Sequence, residues 1–164
     1  QIVSFNLIPA EIVKDIKIAR SHMDHHNSNL YDYIIESELA HQKRVVYDGK
    51  SFLVFIPHAT RYNGEIRIIC KDDKKIDQWG LDEIEEISYI YKRLFEKWED
   101  YNVEQIAFNV VIHTYPLNGD YDDLFRTHFH IIPRKFNFGG FELSTDLFVC
   151  GTDPEDLAEF LRFD

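Results

Sequence analysis

The feature that most constrains the fold is a pair of β-rich runs, residues 44–47 and 52–56, joined by a turn that begins with Asp48-Gly49. An Asp-Gly pair between two such runs is typical of a tight hairpin, whose strands are antiparallel. Residues 65–70 largely alternate apolar and polar side chains and predict a third strand that pairs with the hairpin. We therefore expect an antiparallel sheet.

The remaining pattern predicts helices and further strands around this sheet. A long helix is predicted from near Leu81, because apolar residues recur every three or four positions and acidic residues crowd its first turn. Other helices are predicted up to about Asp24, over 29–40 and from Thr152 or Asp153 onward, and other strands over 105–114, 126–132 and 141–150. We predict one α+β domain over residues 1–164, with five or more antiparallel strands and helices on one side.

Charge and composition argue against several classes of partner. A formal net charge of -11 opposes binding to nucleic acid, whose affinity comes largely from Lys and Arg. No stretch approaches the roughly 18 consecutive apolar residues of a membrane span, so we expect no membrane partner. Cys70 and Cys150 lie far apart in apolar, strand-like contexts, which predicts two buried, reduced thiols in a cytoplasmic protein.

Three histidines carry the strongest chemical signal in the chain. His128 and His130 are two residues apart in a predicted strand, so both imidazoles project from the same face of the sheet. His113 ends the preceding strand-like run, and the loop after it lets the next strand return beside it. Three imidazoles and one carboxylate would hold one divalent metal ion. These donors suit Zn²⁺ and Fe²⁺ alike, so ligand type leaves the choice of metal open.

Two motifs carry a resemblance to a known family. The segment that starts at His113 reads His-Thr-Tyr-Pro-Leu-Asn-Gly, and residues 127–134 read Thr-His-Phe-His-Ile-Ile-Pro-Arg. They resemble the His-x-x-Pro-x-Asn-Gly loop and the His-x-His strand in the second half of galactose-1-phosphate uridylyltransferases. The resemblance extends over nearly the whole chain and implies a histidine-triad-like fold. It also implies that residues 1–164 form the C-terminal half of a longer, homodimeric protein, whose N-terminal half is a partner.

The resemblance further implies a reaction and a place for its nucleophile. Gln1-Ile2, followed by Pro9, resembles the end of the family's His-x-His-x-Gln-Ile motif. The nucleophilic histidine would then lie just before Gln1, and Gln1 would contact the transferred phosphoryl group. In the family that histidine takes a uridylyl group from UDP-glucose and passes it to galactose 1-phosphate. A nucleotide sugar and a sugar phosphate are the implied substrates, and this chain alone would be inactive.

Matching by resemblance also implies a metal carboxylate. The three histidines fall on a metal site known in some family members, whose carboxylate lies on the first helix and is usually Glu. Asp15 occupies that place here, and Glu11, one turn earlier on the same helix, is the alternative. Four protein ligands with no open position would make the site structural.

Two residues match the family's sugar-phosphate site. Lys135 and Glu142 match positions that contact the hexose phosphate across the dimer interface, Lys for the phosphate charge and Glu for the sugar hydroxyls. Phe148 replaces a Gln of the hexose enzymes, six residues after that Glu. The acceptor sugar therefore stays open.

Two other functions compete with this interpretation. In a single-repeat histidine-triad nucleotide hydrolase or transferase, His128 would be the nucleophile. Against this function, Arg126 stands where that motif has its first His, and no Gly-Gln pair precedes the strand. A noncatalytic, metal-stabilised dimerisation or binding module is the third possibility for the isolated chain.

Overall fold

The protein is described here by a computed structural model that covers residues 6–101, 107–117, 119–134 and 138–164. Its helices and strands follow one another in an α+β order. They are α1 (Ala10–His26), α2 (Leu30–His41), β1 (Val45–Asp48), β2 (Phe52–Phe55), β3 (Ile66–Cys70), a 3₁₀ turn (Ile76–Gln78), α3 (Leu81–Tyr101), β4 (Phe108–His113), β5 (His128–Pro133), α4 (Gly140–Thr145) and α5 (Pro154–Leu161).

The five strands form one antiparallel sheet in the order β1-β2-β3-β5-β4. The predicted hairpin joins β1 to β2, and β3 pairs with β2 as expected. Strand β5 then lies between β3 and β4, so the chain places its two histidine-bearing strands side by side. The prediction of an antiparallel sheet of five or more strands is confirmed, with five among the described residues.

Helices cover both faces of the sheet, so the prediction of helices on one side was wrong. Phe52 and Val54 of β2 pack into a core with α3 and α5, whereas Leu53 and Phe55 pack into a second core with α1 and α2. Successive residues of a strand face opposite sides. Because every residue of β2 is apolar and buried, each face of the sheet needs its own covering layer.

The segment 141–150 is not the predicted strand. Residues Gly140–Thr145 form α4, because the carboxylate of Glu142 accepts a hydrogen bond from the Gly139 N–H at 2.9 Å and caps the first turn. The rest of the segment is irregular, and its Leu147 and Val149 side chains are exposed.

The two thiols differ in environment. Cys70 is fully buried in β3, as predicted. Cys150 is exposed, contrary to the prediction, because the segment that carries it lies outside the sheet. Among the helices described, none combines the length and the apolar character that crossing a bilayer requires.

Candidate metal centre

Three imidazoles meet on the face of the sheet that α1 covers. In the β4–β5 ladder His113 lies directly opposite His128, and His130 follows two residues later on the same face. One ring nitrogen from each of these residues lies within 4.8 Å of the others. The structure therefore brings together the three histidines that the sequence singled out, and we call them the histidine cluster.

Helix α1 adds a carboxylate to the histidine cluster. Asp15 Oδ2 lies 3.0 Å from His113 Nδ1 and 3.8 Å from His128 Nε2. The neighbouring positions Ile12 and Ile16 are buried in the core beneath α1, which aims this turn of the helix at the sheet. Burial raises the pKa of Asp15, but its hydrogen bond with His113 and the nearby imidazoles outweigh this effect and lower the pKa overall. Asp15 is therefore an anionic oxygen donor at neutral pH.

Glu11, the alternative carboxylate, lies elsewhere. It is exposed, and its Oε1 lies 3.7 Å from Arg61 Nη1. Asp15, and not Glu11, therefore lies at the histidine cluster.

His128 is held as a neutral imidazole. Its side chain is almost fully buried, and Nδ1 donates to the backbone oxygen of Arg126 at 2.9 Å. This leaves the lone pair of Nε2 on the side of Asp15. Burial is the main reason that the pKa of His128 falls to about 3. A neutral imidazole with a free nitrogen is the form that binds metal ions.

His130 has a free, buried nitrogen. Its Nδ1 lies 2.9 Å from Glu65 Oε1, while Nε2 is buried and has no hydrogen-bond partner among the described residues. A buried polar atom without a partner is unfavourable unless something else binds it. Three imidazoles, one of them with a ring nitrogen that lacks a partner, and one anionic carboxylate make a donor set that fits a divalent metal such as Zn²⁺ or Fe²⁺.

Sequence reasoning missed Glu65. This residue directly precedes β3 and is only 1% exposed. The available signal was an acidic residue at the start of an otherwise apolar strand, but its partner lies on β5 and is far away in sequence.

The other predicted site residues are placed as follows. Gln1 and Lys135 lie outside the described residues. Glu142 is half-buried on α4, where it caps the helix. The ring of Phe148 packs against Phe138, with centroids 4.9 Å apart, and carries the Arg61 guanidinium 4.4 Å from its centroid. Contact of Lys135 and Glu142 with a sugar phosphate stays a prediction.

Comparison with known proteins finds relatives in sequence. No family model matches the chain. Galactose-1-phosphate uridylyltransferase of Saccharomyces cerevisiae is 27% identical over 125 residues, which cover 76% of this chain and 34% of that protein. ADP-glucose phosphorylase of Arabidopsis thaliana is 31% identical over 128 residues, which cover 75% of this chain and 36% of that protein. The chain thus spans about a third of the length of these curated relatives.

Solved structures establish the fold. A uridylyltransferase structure superposes with a TM-score of 0.83 at 20% identity, covering 94% of this chain and 51% of that one. A Zn-bound histidine triad family protein from Mycobacterium smegmatis gives a TM-score of 0.53 at 16% identity, covering 82% of this chain and 91% of that one. The five-stranded antiparallel sheet with its helices is the histidine-triad-like fold that the sequence predicted.

Proposed function

We propose that this chain, a homologue of the galactose-1-phosphate uridylyltransferases and of ADP-glucose phosphorylase, is the C-terminal half of a nucleotidyltransferase. Its substrates would be a nucleotide sugar and a sugar phosphate. One relative is named for a sugar phosphate, galactose 1-phosphate, and the other for a nucleotide sugar, ADP-glucose. On this proposal the nucleophilic histidine lies upstream of Gln1, and activity needs the N-terminal half. The free thiols Cys70 and Cys150 suit a reducing cytoplasm.

We further propose that the histidine cluster and Asp15 hold one structural Zn²⁺ or Fe²⁺ ion. The observation that carries this proposal is the meeting of three imidazoles from two strands with a carboxylate from α1. Four protein donors fill the coordination shell typical of structural zinc, with no position left for substrate. The bound ion would tie α1 to the sheet.

The burial of His128 supports a structural role over a nucleophilic one. A nucleophile must reach the phosphorus it attacks, whereas His128 is only 4% exposed and the Asp15 carboxylate lies beside its Nε2. The single-repeat hydrolase or transferase with His128 as nucleophile is therefore the weaker candidate.

The edge strand β4 supports the proposed partnership with an N-terminal half. Within the described residues β4 pairs with β5 alone, so its other side is an open edge. Val110, Val111 and Ile112 are exposed on this strand. Apolar edge strands are usually covered, because their free backbone groups invite pairing with another chain or domain. We propose that the N-terminal half covers this edge, and that two such proteins form a homodimer.

Metal analysis of the purified chain tests the metal proposal. We expect about one zinc or iron ion per chain, as in a structural site with four protein ligands. His113→Ala and His130→Ala should lose the ion, whereas His58→Ala, at an exposed histidine outside the cluster, should retain it. A folded wild-type chain without metal would contradict the proposal, as would equal loss in the His58→Ala control.

A covalent-labelling experiment tests the proposed reaction. The isolated chain, incubated with a labelled UDP-sugar or dinucleotide, should form no phosphoramidate. The same chain joined to the N-terminal half should form one on a histidine upstream of Gln1. An adduct on His128 would instead establish the single-repeat mechanism. Nucleotide-sugar binding by the joined protein without any adduct would identify a noncatalytic module.

A further inference from the structure

Glu65 is a buried acid whose position needs a physical explanation. Its side chain is 2% exposed, and the next residue already belongs to the apolar strand β3. Burial of an ionised carboxylate is unfavourable unless charged or hydrogen-bonding partners surround it. The partners of Glu65 therefore indicate what holds it there.

One oxygen of Glu65 accepts two hydrogen bonds. Its Oε1 lies 2.9 Å from His130 Nδ1 and 3.0 Å from Arg67 Nε. Arg67 and His130 lie directly opposite each other in the β3–β5 ladder, so the two donors reach the carboxylate from adjacent strands. Because the Arg67 guanidinium keeps its proton in proteins, its contact with the Glu65 carboxylate is an ion pair.

A carboxylate paired with an arginine accepts hydrogen bonds, so His130 Nδ1 is the donor here and carries the proton. In the neutral ring Nε2 then holds a lone pair, and this is the buried nitrogen that has no partner among the described residues. His128 is fixed in the same tautomer, but by a neutral backbone oxygen. Of these two histidines, His130 is the one oriented by a charged group.

We infer that Glu65 is a positioning residue for the metal centre: it fixes the tautomer and ring orientation of His130 and makes Nε2 a stronger ligand. The inference rests on the metal site proposed above. Histidine ligands commonly donate their second N–H to a carboxylate, and loss of such a partner typically weakens metal binding by about 10–100-fold. Arg67 contributes by holding the Glu65 carboxylate in place.

The test compares Glu65→Gln with Glu38→Gln. Glu38 is a matched control, because it is also buried and pairs with an arginine, Arg44, at 2.6 Å, and within the described residues this ion pair lies apart from the histidine cluster. Zinc affinity is measured by competition with a chromophoric chelator. We expect Glu65→Gln to bind zinc about tenfold more weakly and Glu65→Ala up to about 100-fold more weakly, with Glu38→Gln unchanged.

Melting temperatures of each variant, measured with and without zinc, separate metal binding from folding. The zinc-induced shift should shrink in the Glu65 variants alone, even where the metal-free protein is itself less stable. Nitrogen NMR of the metal-free chain adds a second measurement: His130 should be the Nδ1–H tautomer in the wild type and a mixture in Glu65→Ala.

The outcomes distinguish this inference from the proposal beneath it. No zinc or iron binding by the wild-type chain would overturn both. Tight wild-type binding with unchanged affinity in Glu65→Gln and Glu65→Ala would overturn the role of Glu65 and leave the metal site standing. An equal loss in Glu38→Gln would show that the effect is general destabilisation, which also overturns the positioning role.

Discussion

Removal of the metal should loosen α1 and lower the melting temperature of the whole chain. Apolar side chains such as Ile12 and Ile16 hold one face of α1 on the sheet, and the proposed ion would add a link through Asp15 to both β4 and β5. The four donors come from three separate elements, so the unfolded chain does not present them together. An ion of this kind binds the folded state and stabilises it by mass action.

The size of the effect follows from that linkage. Free metal at about 1,000 times its dissociation constant stabilises the folded state by about 4 kcal/mol. In a chain of 150–250 residues, each kcal/mol shifts the melting temperature by about 2–4 °C. We therefore expect chelation to lower the melting temperature by about 8–16 °C, and re-addition of Zn²⁺ or Fe²⁺ to restore it.

Differential scanning calorimetry, with and without chelator at constant ionic strength, measures the shift. Amide hydrogen exchange locates it, since α1 should lose more protection than α3, which packs on the other face of the sheet. His113→Ala should abolish the response to chelator, and His58→Ala should preserve it. The reasoning would be refuted if chelation left the melting temperature of a metal-containing chain unchanged. It would also be refuted if chelation lowered the melting temperature of His113→Ala as much as that of the wild type.

Three further predictions concern the pH dependence of stability, the backbone at Gly64 and the open edge of β4. The free energy of unfolding of the metal-free chain, measured by urea unfolding, should fall by up to about 2 kcal/mol between pH 7 and pH 5. In the unfolded chain His128 binds a proton below its ordinary pKa of 6.5, whereas in the folded chain it stays neutral until about pH 3. Gly64→Ala should lower the free energy of unfolding by about 1–2 kcal/mol in the same assay, since Gly64 has φ +76° and a Cβ there would lie 3.0 Å from the Trp98 side chain. Val110→Lys should weaken binding of a separately expressed N-terminal half by about tenfold in calorimetry.

Local patterns were sufficient to predict most of the fold. The Asp48-Gly49 turn specified the first hairpin, and alternation along β5 placed His128 and His130 on one face, since both signals depend only on neighbours in the sequence. The predictions that were wrong concern structure that depends on contacts between residues far apart in the sequence. Residues 141–150 are rich in apolar side chains, but a strand also needs a partner, and a capped turn of helix forms instead.

The candidate site shows the same division. The histidines were identifiable from their spacing, whereas the two candidate positions for the carboxylate, Asp15 and Glu11, came from the family resemblance. The choice of Asp15 over Glu11 required the packing of α1, which leaves Glu11 beside Arg61. Glu65 escaped notice because its relation to His130 is created by the β3–β5 pairing, which joins residues far apart in the chain.

The contrast between the two thiols makes the protein convenient to label. Cys70 is fully enclosed, and burial raises the pKa of its thiol to about 11, so it presents almost no reactive thiolate. Cys150 is exposed, beside the hydroxyl of Thr60 at 3.2 Å. A maleimide fluorophore should therefore attach at Cys150 alone, giving the native chain a single reporter after α4 without any engineered cysteine.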